Sequence, residues 1–229
     1  MIRSILSILS IALFPAAYAQ EQHVASPGPE RWEQAIQRFE ALDKATPPKK
    51  DGILFAGSST IVFWDLKASF PELDALNRGF GGSSVADILH FFDRVVLPYA
   101  PKTIVFYSGD NDIASGKAPE DVFKDYQQFV AKVHEDLPET RLIILGIKPS
   151  NARWTLWDKM QQVNRQLQEL AKQDRLVEYI DTAPPLLGPD GKPKAELFKS
   201  DGLHLNEQGY AAVAPLVQKV LNAPAGKSN

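Results

Sequence analysis

Short apolar runs alternate with amphipathic stretches along most of this chain. Three runs have the length and continuity of buried strands, and they cover 53–56, Thr103–Tyr107 and 142–147. Two less continuous runs, Val177–Ile180 and 75–80, are further candidate strands. Between and after them, apolar residues recur at helical spacing within 85–96, 122–133, 156–170 and 210–220. Strands that are apolar on both faces and alternate with helices indicate a parallel sheet covered on both sides. The pattern therefore predicts the α/β fold class.

The first nineteen residues have a different pattern. Arg3 supplies a positive charge, residues 5–14 are almost all apolar, and Pro15 is followed by Ala17 and Ala19 at the spacing of a cleavage site. A run of ten residues is too short to cross a bilayer, which takes about 20. The polar stretch that follows argues against a short core helix. We therefore predict a signal peptide over 1–19, cleaved near Ala19-Gln20, and a secreted or periplasmic protein with no stable membrane anchor.

The remaining part, about 210 residues, suits a single domain. Residues 20–50 are predicted to form a leader and an N-terminal helix, in which Trp32, Ile36 and Phe39 share one face and which ends before Pro47. The α/β domain is expected over 51–222.

Composition excludes several classes of protein. The chain has no cysteine, which rules out a thiol nucleophile, a thiolate metal site and disulfides. It carries 25 Lys and Arg against 28 Asp and Glu, a net charge of -3 without long blocks of one sign. No nucleic-acid partner and no basic membrane-binding patch are expected.

Two polar segments follow the first two predicted strands, at the edge of the sheet where α/β proteins bind ligands. Ser59 lies in Gly57-Ser58-Ser59-Thr60, at a strand-to-helix turn that exposes a hydroxyl and leaves backbone N–H groups free for a developing oxyanion. The alternative is a plain helix cap. The second segment, 77–84, has three glycines within four positions, which suits close approach of the backbone to a ligand or an ordinary turn.

Two more segments follow later strands. Asn111, within 108–112, could point an amide donor toward Ser59 or belong to an Asx-turn. Asp110 and Asp112 have no histidine nearby, so a metal site is not expected. In Asp201-Gly202-Leu203-His204, a carboxylate three residues before a histidine can hold one ring nitrogen while the other acts as a general base.

Together these segments resemble the sequence blocks of the SGNH (GDSL-type) hydrolases, from about residue 51 to residue 221. The family's Gly-Asp-Ser, N-x-G-x-x-G, G-x-N-D and D-x-x-H blocks are similar to 57–59, 77–82, 109–112 and 201–204. The resemblance implies a flavodoxin-like three-layer α/β/α sandwich of about five parallel strands, with no metal and no cofactor. It also implies a catalytic triad and an oxyanion hole, the triad formed by Ser59, Asp201 and His204 and the hole by Ser59, Gly82 and Asn111.

One position departs from the family pattern. Ser58 stands where the family usually has Asp, which leaves two adjacent serines as candidate nucleophiles. The G-x-S order and the register against the strand favour Ser59. Gly81, next to Gly82, leaves the register of the second block open in the same way.

The expected function is that of a secreted serine esterase acting through an acyl-enzyme on a small-molecule or saccharide ester, with acetyl esters of saccharides as one candidate. Trp64, Trp154 and Trp157 could stack on a sugar or belong to the core. The alternatives are a lysophospholipase or thioesterase, an inactive ligand-binding protein of the same fold, and a flavodoxin-like cofactor binder.

Overall fold

A computed structural model describes residues 28–224. Its centre is a five-stranded sheet in the order β2-β1-β3-β4-β5, in which every pairing is parallel. The strands are β1 (Ile53–Gly57), β2 (Ala75–Gly79), β3 (Thr103–Tyr107), β4 (Arg141–Leu145) and β5 (Val177–Ile180). This architecture confirms the predicted α/β class and the number of strands.

Helices cover both faces of the sheet. They are α1 (Glu33–Ala45), α2 (Ser59–Val62), α3 (Leu66–Ser69), α4 (Val85–His90), α5 (Phe92–Val95), α6 (Asp110–Ala114), α7 (Pro119–Asp136), α8 (Trp157–Gln173) and α9 (Glu207–Leu221). Five 3-10 turns accompany them within residues 28–224, namely Pro29–Trp32, Leu97–Tyr99, Trp154–Leu156, Pro184–Leu186 and Ala195–Leu197. The predicted N-terminal helix corresponds to α1.

Two hydrophobic clusters fill the space between the sheet and its helices. In β3, Ile104 and Phe106 belong to one cluster, which also takes side chains from α1, α4, α5, α7 and α8. Val105 and Tyr107 belong to the other, together with side chains from α2, α3 and α9. Successive strand residues point to opposite faces, so a strand buried on both sides is a continuous apolar run. This explains why the three central strands, β1, β3 and β4, could be recognised from sequence.

Two predicted boundaries differ from the structure. The helix expected over 85–96 is divided at Phe91, whose ψ of 10° is not helical, into α4 and α5. β4 ends at Leu145 rather than at Ile147, because the backbone N–H of Ile147 donates to the side chain of Asn164 in α8, 2.8 Å away, instead of to a neighbouring strand.

Two of the three tryptophans considered for sugar binding are core residues. Trp64 is buried, and its Nε1 donates to Ser69 Oγ at 2.9 Å. Trp157 is also buried, and half-buried Trp154 stacks on it with ring centroids 6.1 Å apart.

None of the helices within residues 28–224 has the length and apolarity needed to cross a membrane. The predicted signal peptide and the Ala19-Gln20 cleavage site lie outside the described residues.

The strand order places a switch in direction between β1 and β3. From β1 the chain first adds β2 on one side, and it then crosses to add β3, β4 and β5 on the other. In open parallel sheets the crevice at such a point, beyond the carboxyl ends of the strands, is where ligands bind. Three of the four polar segments, 57–60, 77–84 and 108–112, lie at the carboxyl ends of β1, β2 and β3. The fourth segment, 201–204, returns to the same edge of the sheet.

Candidate active site

Ser59 is the first residue of α2, two residues after β1 ends at Gly57. The turn between them is tight. Gly57 has φ of 144°, and a Cβ atom there would lie 1.9 Å from the carbonyl oxygen of Tyr107, so only glycine fits. The turn carries the chain out of the sheet and brings the Ser59 hydroxyl to its edge.

The imidazole of His204 lies between Ser59 and Asp201. Its Nε2 is 3.1 Å from Ser59 Oγ, and its Nδ1 is 2.6 Å from Asp201 Oδ2. The backbone N–H groups of Leu203 and His204 donate to Asp201 Oδ1 at 2.8 and 3.0 Å. The contact with the His204 ring, followed by these backbone bonds, holds the pKa of Asp201 well below its usual range. The three residues predicted from sequence therefore form one continuous hydrogen-bonded chain.

The two adjacent serines have different surroundings. Ser58 is fully buried, and within the described part of the chain its Oγ has no hydrogen-bond partner. Its backbone N–H donates to the carbonyl of Tyr107 at 3.0 Å, which fixes Ser58 against β3. Only Ser59 has its hydroxyl within reach of the His204 ring.

Phe63 was not predicted as a site residue, although it contacts His204. The two rings meet edge to face with centroids 5.0 Å apart, and Phe63 is 46% exposed. The ammonium group of Lys199 lies 4.0 Å from the Phe63 ring centroid, on the loop that leads to His204. A groove of about 950 Å³ between α3 and α9 begins at Phe63. The sequence feature that could have identified Phe63 is its position as an apolar residue shortly after the Gly57-Ser58-Ser59 turn.

The glycine-rich segment runs beside Ser59. A Cβ atom on Gly81 would lie 3.8 Å from the Cβ of Ser59, and Gly82 has φ of 78°, in the region that favours glycine. Asn77 ties this segment to α2, since its Nδ2 donates to the carbonyl of Ile61 at 2.6 Å. Trp32 packs over the segment, because a Cβ atom on Gly82 would be 3.1 Å from its ring.

Asn111 follows β3 and contacts the glycine-rich segment. Its Nδ2 donates to the backbone carbonyl of Ser83 at 3.1 Å, and its Oδ1 accepts from Arg153 Nη2 at 2.9 Å. The turn before it requires Gly109, which has φ of 98° and would place a Cβ 2.7 Å from Ile147. The structure therefore brings Asn111 to the residue next to Gly82.

Buried Asp112 holds the other side of the same segment. Both of its carboxylate oxygens lie 3.3 Å from the backbone nitrogen of Val85, the first residue of α4. Burial raises its pKa to about 7, although nearby Lys117 acts in the opposite direction. Asp112 thus ties α6 to the start of α4.

Lys148, after β4, lies under the loop that carries Asp201 and His204. It is buried, and its Nζ donates to the backbone carbonyl of Leu203 at 2.7 Å. Burial lowers its pKa to about 8, while Asp110 acts in the opposite direction. From its place after the fourth strand, the segment 147–154 is expected to line the acyl or alcohol side of the site, but the sequence assigns no individual role to Lys148 or Arg153. The available signal was a cation directly after an apolar strand, which is unusual without a nearby partner.

Comparison with known proteins identifies the family. Residues 58–212 match the model of the GDSL-like lipase/acylhydrolase family. The chain belongs to this family, as its sequence motifs predicted, and it is an enzyme that hydrolyses ester bonds.

Individual relatives agree with this assignment. The chain is 27% identical over 203 residues to the platelet-activating factor acetylhydrolase IB subunit alpha1 of Homo sapiens, with 85% of this chain and 84% of that protein covered. A Streptococcus pneumonia protein named after platelet activating factor superimposes with a TM-score of 0.75 and 25% identity, covering 84% of this chain and 93% of that one. An acetylxylan esterase from Geobacillus stearothermophilus shares the fold, with a TM-score of 0.62, 15% identity, and 79% and 99% coverage.

Proposed function

We propose that this protein is an exported serine esterase in which Ser59 is the nucleophile, His204 the general base and Asp201 its orienting partner. The observation that carries the proposal is the hydrogen-bonded chain from Asp201 Oδ2 through the His204 ring to Ser59 Oγ, with distances of 2.6 and 3.1 Å. A nucleophile, a base within reach and a carboxylate behind the base are the parts of a serine hydrolase triad.

The reaction proceeds in two steps. His204 Nε2 takes the hydroxyl proton as Ser59 Oγ attacks the ester carbonyl carbon, and the intermediate collapses when the bond to the alcohol oxygen breaks and His204 returns the proton to it. A water molecule then attacks the acyl-enzyme with His204 again as base, which releases the acid and restores Ser59. Asp201 remains ionised throughout and stabilises the imidazolium form.

The oxyanion is held by three donors in this proposal, the backbone N–H groups of Ser59 and Gly82 and the side-chain amide of Asn111. The closeness of the glycine-rich segment to Ser59 supports the first two, and the bond from Asn111 to Ser83 supports the third. Asn111 Nδ2 has two hydrogens and gives one to Ser83, so one is free for the substrate oxygen. Preorganised donors of this kind stabilise the charge that develops in the transition state.

Acetyl esters of saccharides are the substrate class that we favour. Phe63 offers an exposed aromatic surface beside His204, and the adjoining groove of about 950 Å³ has room for more than one sugar ring. The apolar face of a sugar ring loses water when it packs on such a surface. The acetylxylan esterase among the structural neighbours acts on an ester of this class.

A short-acyl lipid ester is the second candidate. Val62 is the last residue of α2 and Phe63 follows it, so both lie within four positions of Ser59. Val62 is 38% exposed and Phe63 is 46% exposed. Such a pair can contact the apolar part of a lipid alcohol. The similarity to an acetylhydrolase named for platelet-activating factor agrees with this candidate.

The decisive experiment compares purified protein on three ester classes, namely acetylated xylooligosaccharides, a short-chain acetyl phospholipid and a long-chain lipid ester, with Ser58→Ala and Ser59→Ala as a matched pair. We expect release of acetate from the saccharides to be fastest and to disappear only in Ser59→Ala. Faster hydrolysis of the phospholipid would favour the second candidate. Equal rates for wild type and Ser59→Ala on all three would reject the proposed nucleophile.

The last part of the proposal is that the protein is exported after cleavage of an N-terminal signal peptide. The apolar run 5–14 after Arg3 and the small residues Ala17 and Ala19 support cleavage before Gln20. A saccharide ester outside the cell would meet an exported enzyme.

A further inference from the structure

We infer that Arg153 is a positioning residue of the oxyanion hole, which fixes the orientation of the Asn111 amide. The inference rests on the proposed function, since it takes Asn111 as the side-chain oxyanion donor. It adds a residue that lies outside all four family sequence blocks and reaches the hole from a different strand connection, the loop between β4 and α8.

The contacts of Arg153 clamp two adjacent residues at the start of α6. Its Nη2 is 2.9 Å from Asn111 Oδ1, and its Nη1 is 2.9 Å from Asp110 Oδ2. The Arg153 side chain is 18% exposed and that of Asp110 is 4% exposed. The contact with Asp110 is an ion pair without hydrogen-bond geometry at Nη1. Water screens an ion pair buried to this extent only weakly, so the charge of Asp110 holds the guanidinium group in place while Nη2 donates to Asn111.

Only one orientation of the Asn111 amide satisfies both of its neighbours. A guanidinium group donates hydrogen bonds and cannot accept them, whereas the backbone carbonyl of Ser83 accepts and cannot donate. Asn111 Oδ1 must therefore face Arg153, and Nδ2 must face Ser83. A flipped amide would set two donors against each other on one side and two acceptors on the other.

This orientation serves the chemistry of the hole. It leaves the second hydrogen of Asn111 Nδ2 free and keeps Oδ1, which would repel a negative oxygen, away from the substrate. The charged partner also polarises the amide, because a hydrogen bond from a cation strengthens the donor at the other end of the group. Ser83 alone fixes only one end of the amide, so loss of Arg153 should weaken the hole without abolishing it.

A double-mutant cycle tests the inference, with kcat and KM measured on one soluble acetyl ester for wild type, Arg153→Met, Asn111→Ala and the combination. We expect Asn111→Ala to lower kcat about 100- to 1,000-fold. Arg153→Met should lower kcat about 10- to 100-fold with KM changed by less than about twofold, as for a misplaced catalytic group. In the Asn111→Ala background the same substitution should change kcat by less than about twofold.

The matched control is Arg165→Met, which removes an exposed arginine from α8. It should leave kcat and KM unchanged. If Arg153→Met does not fold, because Asp110 is left as a buried unpaired charge, the cycle is run with Asp110→Asn combined with Arg153→Met, which removes both charges.

The outcomes separate this inference from the proposed function. A normal kcat in Arg153→Met, or an equal loss in both backgrounds, would overturn the role of Arg153 while Asn111→Ala still lowers kcat and supports the oxyanion hole. A normal kcat in Asn111→Ala would overturn both.

Discussion

The Nε2 atom of His204 lies 3.1 Å from the Oγ atom of Ser59, although 145 positions separate the two residues in the chain. The contact exists because β1 delivers Ser59 to the carboxyl edge of the sheet and the loop before α9 returns to the same edge. Residues from both ends of the α/β domain therefore meet at one point.

Replacing Asp201 by asparagine should nearly abolish activity without unfolding the protein. In the proposed mechanism the carboxylate fixes the His204 tautomer and stabilises its charged form, and an amide can do neither in the same way. We expect kcat to fall on the order of 1,000- to 10,000-fold. Ester hydrolysis measures the loss of activity, and circular dichroism checks that the variant is folded. The control is Asp190→Asn, at an exposed aspartate in the irregular segment between β5 and α9. A kcat above about a tenth of the wild-type value would argue against Asp201 as the orienting residue.

Asp112→Asn should change how stability depends on pH. The pKa of Asp112 is about 7 in the folded protein, against about 3.9 for an unperturbed Asp. As the pH rises from 4 to 7, the unfolded chain loses this proton more readily than the folded one, so the group lowers the free energy of unfolding progressively. The Asp112→Asn side chain does not titrate, so its free energy of unfolding does not fall for this reason.

The variant should therefore gain stability relative to wild type as the pH rises, on the order of 2–4 kcal/mol between pH 4 and pH 8. Urea unfolding at these two pH values measures the difference. The same difference at both pH values would contradict the raised pKa of Asp112.

Lys148→Met should affect catalysis more than stability. The methionine keeps most of the buried volume but cannot donate to the carbonyl of Leu203, so the loop with Asp201 and His204 loses an anchor. We expect a fall in kcat of about 10- to 100-fold, as for misplaced catalytic groups. Removal of a buried charge offsets part of the lost bond, so the melting temperature should change little.

The matched control for this variant is Lys172→Met, at an exposed lysine in α8. When both variants are measured in parallel, kcat should fall in Lys148→Met and stay at the wild-type value in Lys172→Met. An unchanged kcat in Lys148→Met would show that the loop holds its position without this bond.

Export can be tested by expressing residues 1–229 in a bacterial host with a periplasm. We expect the periplasmic fraction to contain a protein that begins at Gln20, as read by intact mass, and Ala19→Asp to block its processing because a charge replaces a small residue at the cleavage site. Full-length wild-type protein confined to the cytoplasm would contradict the predicted signal peptide.

The sequence was most informative where the pattern is local. The three central strands could be located because burial on both faces makes them nearly continuous apolar runs, whereas the edge strands β2 and β5 carry polar residues and give a weaker pattern. Asp201 and His204 stand out because three positions separate them on one loop. The division of the helix at Phe91 has no comparable signal, since apolar spacing continues through it.

Contacts between distant segments could not be derived in this way. Arg153 reaches Asn111 from another strand connection, and Trp32 packs over Gly82 from the N-terminal region. Only the folded sheet brings these pairs together. The choice between Ser58 and Ser59 also depends on it, because burial of Ser58 and exposure of the Ser59 hydroxyl to His204 follow from the turn at Gly57.

The most direct test of the central claim is labelling with a serine-reactive fluorophosphonate, followed by mass spectrometry of the modified peptide. We predict one adduct on Ser59, which is absent in Ser59→Ala and retained in Ser58→Ala. An adduct on Ser58, or labelling of Ser59→Ala equal to that of wild type, would contradict Ser59 as the nucleophile.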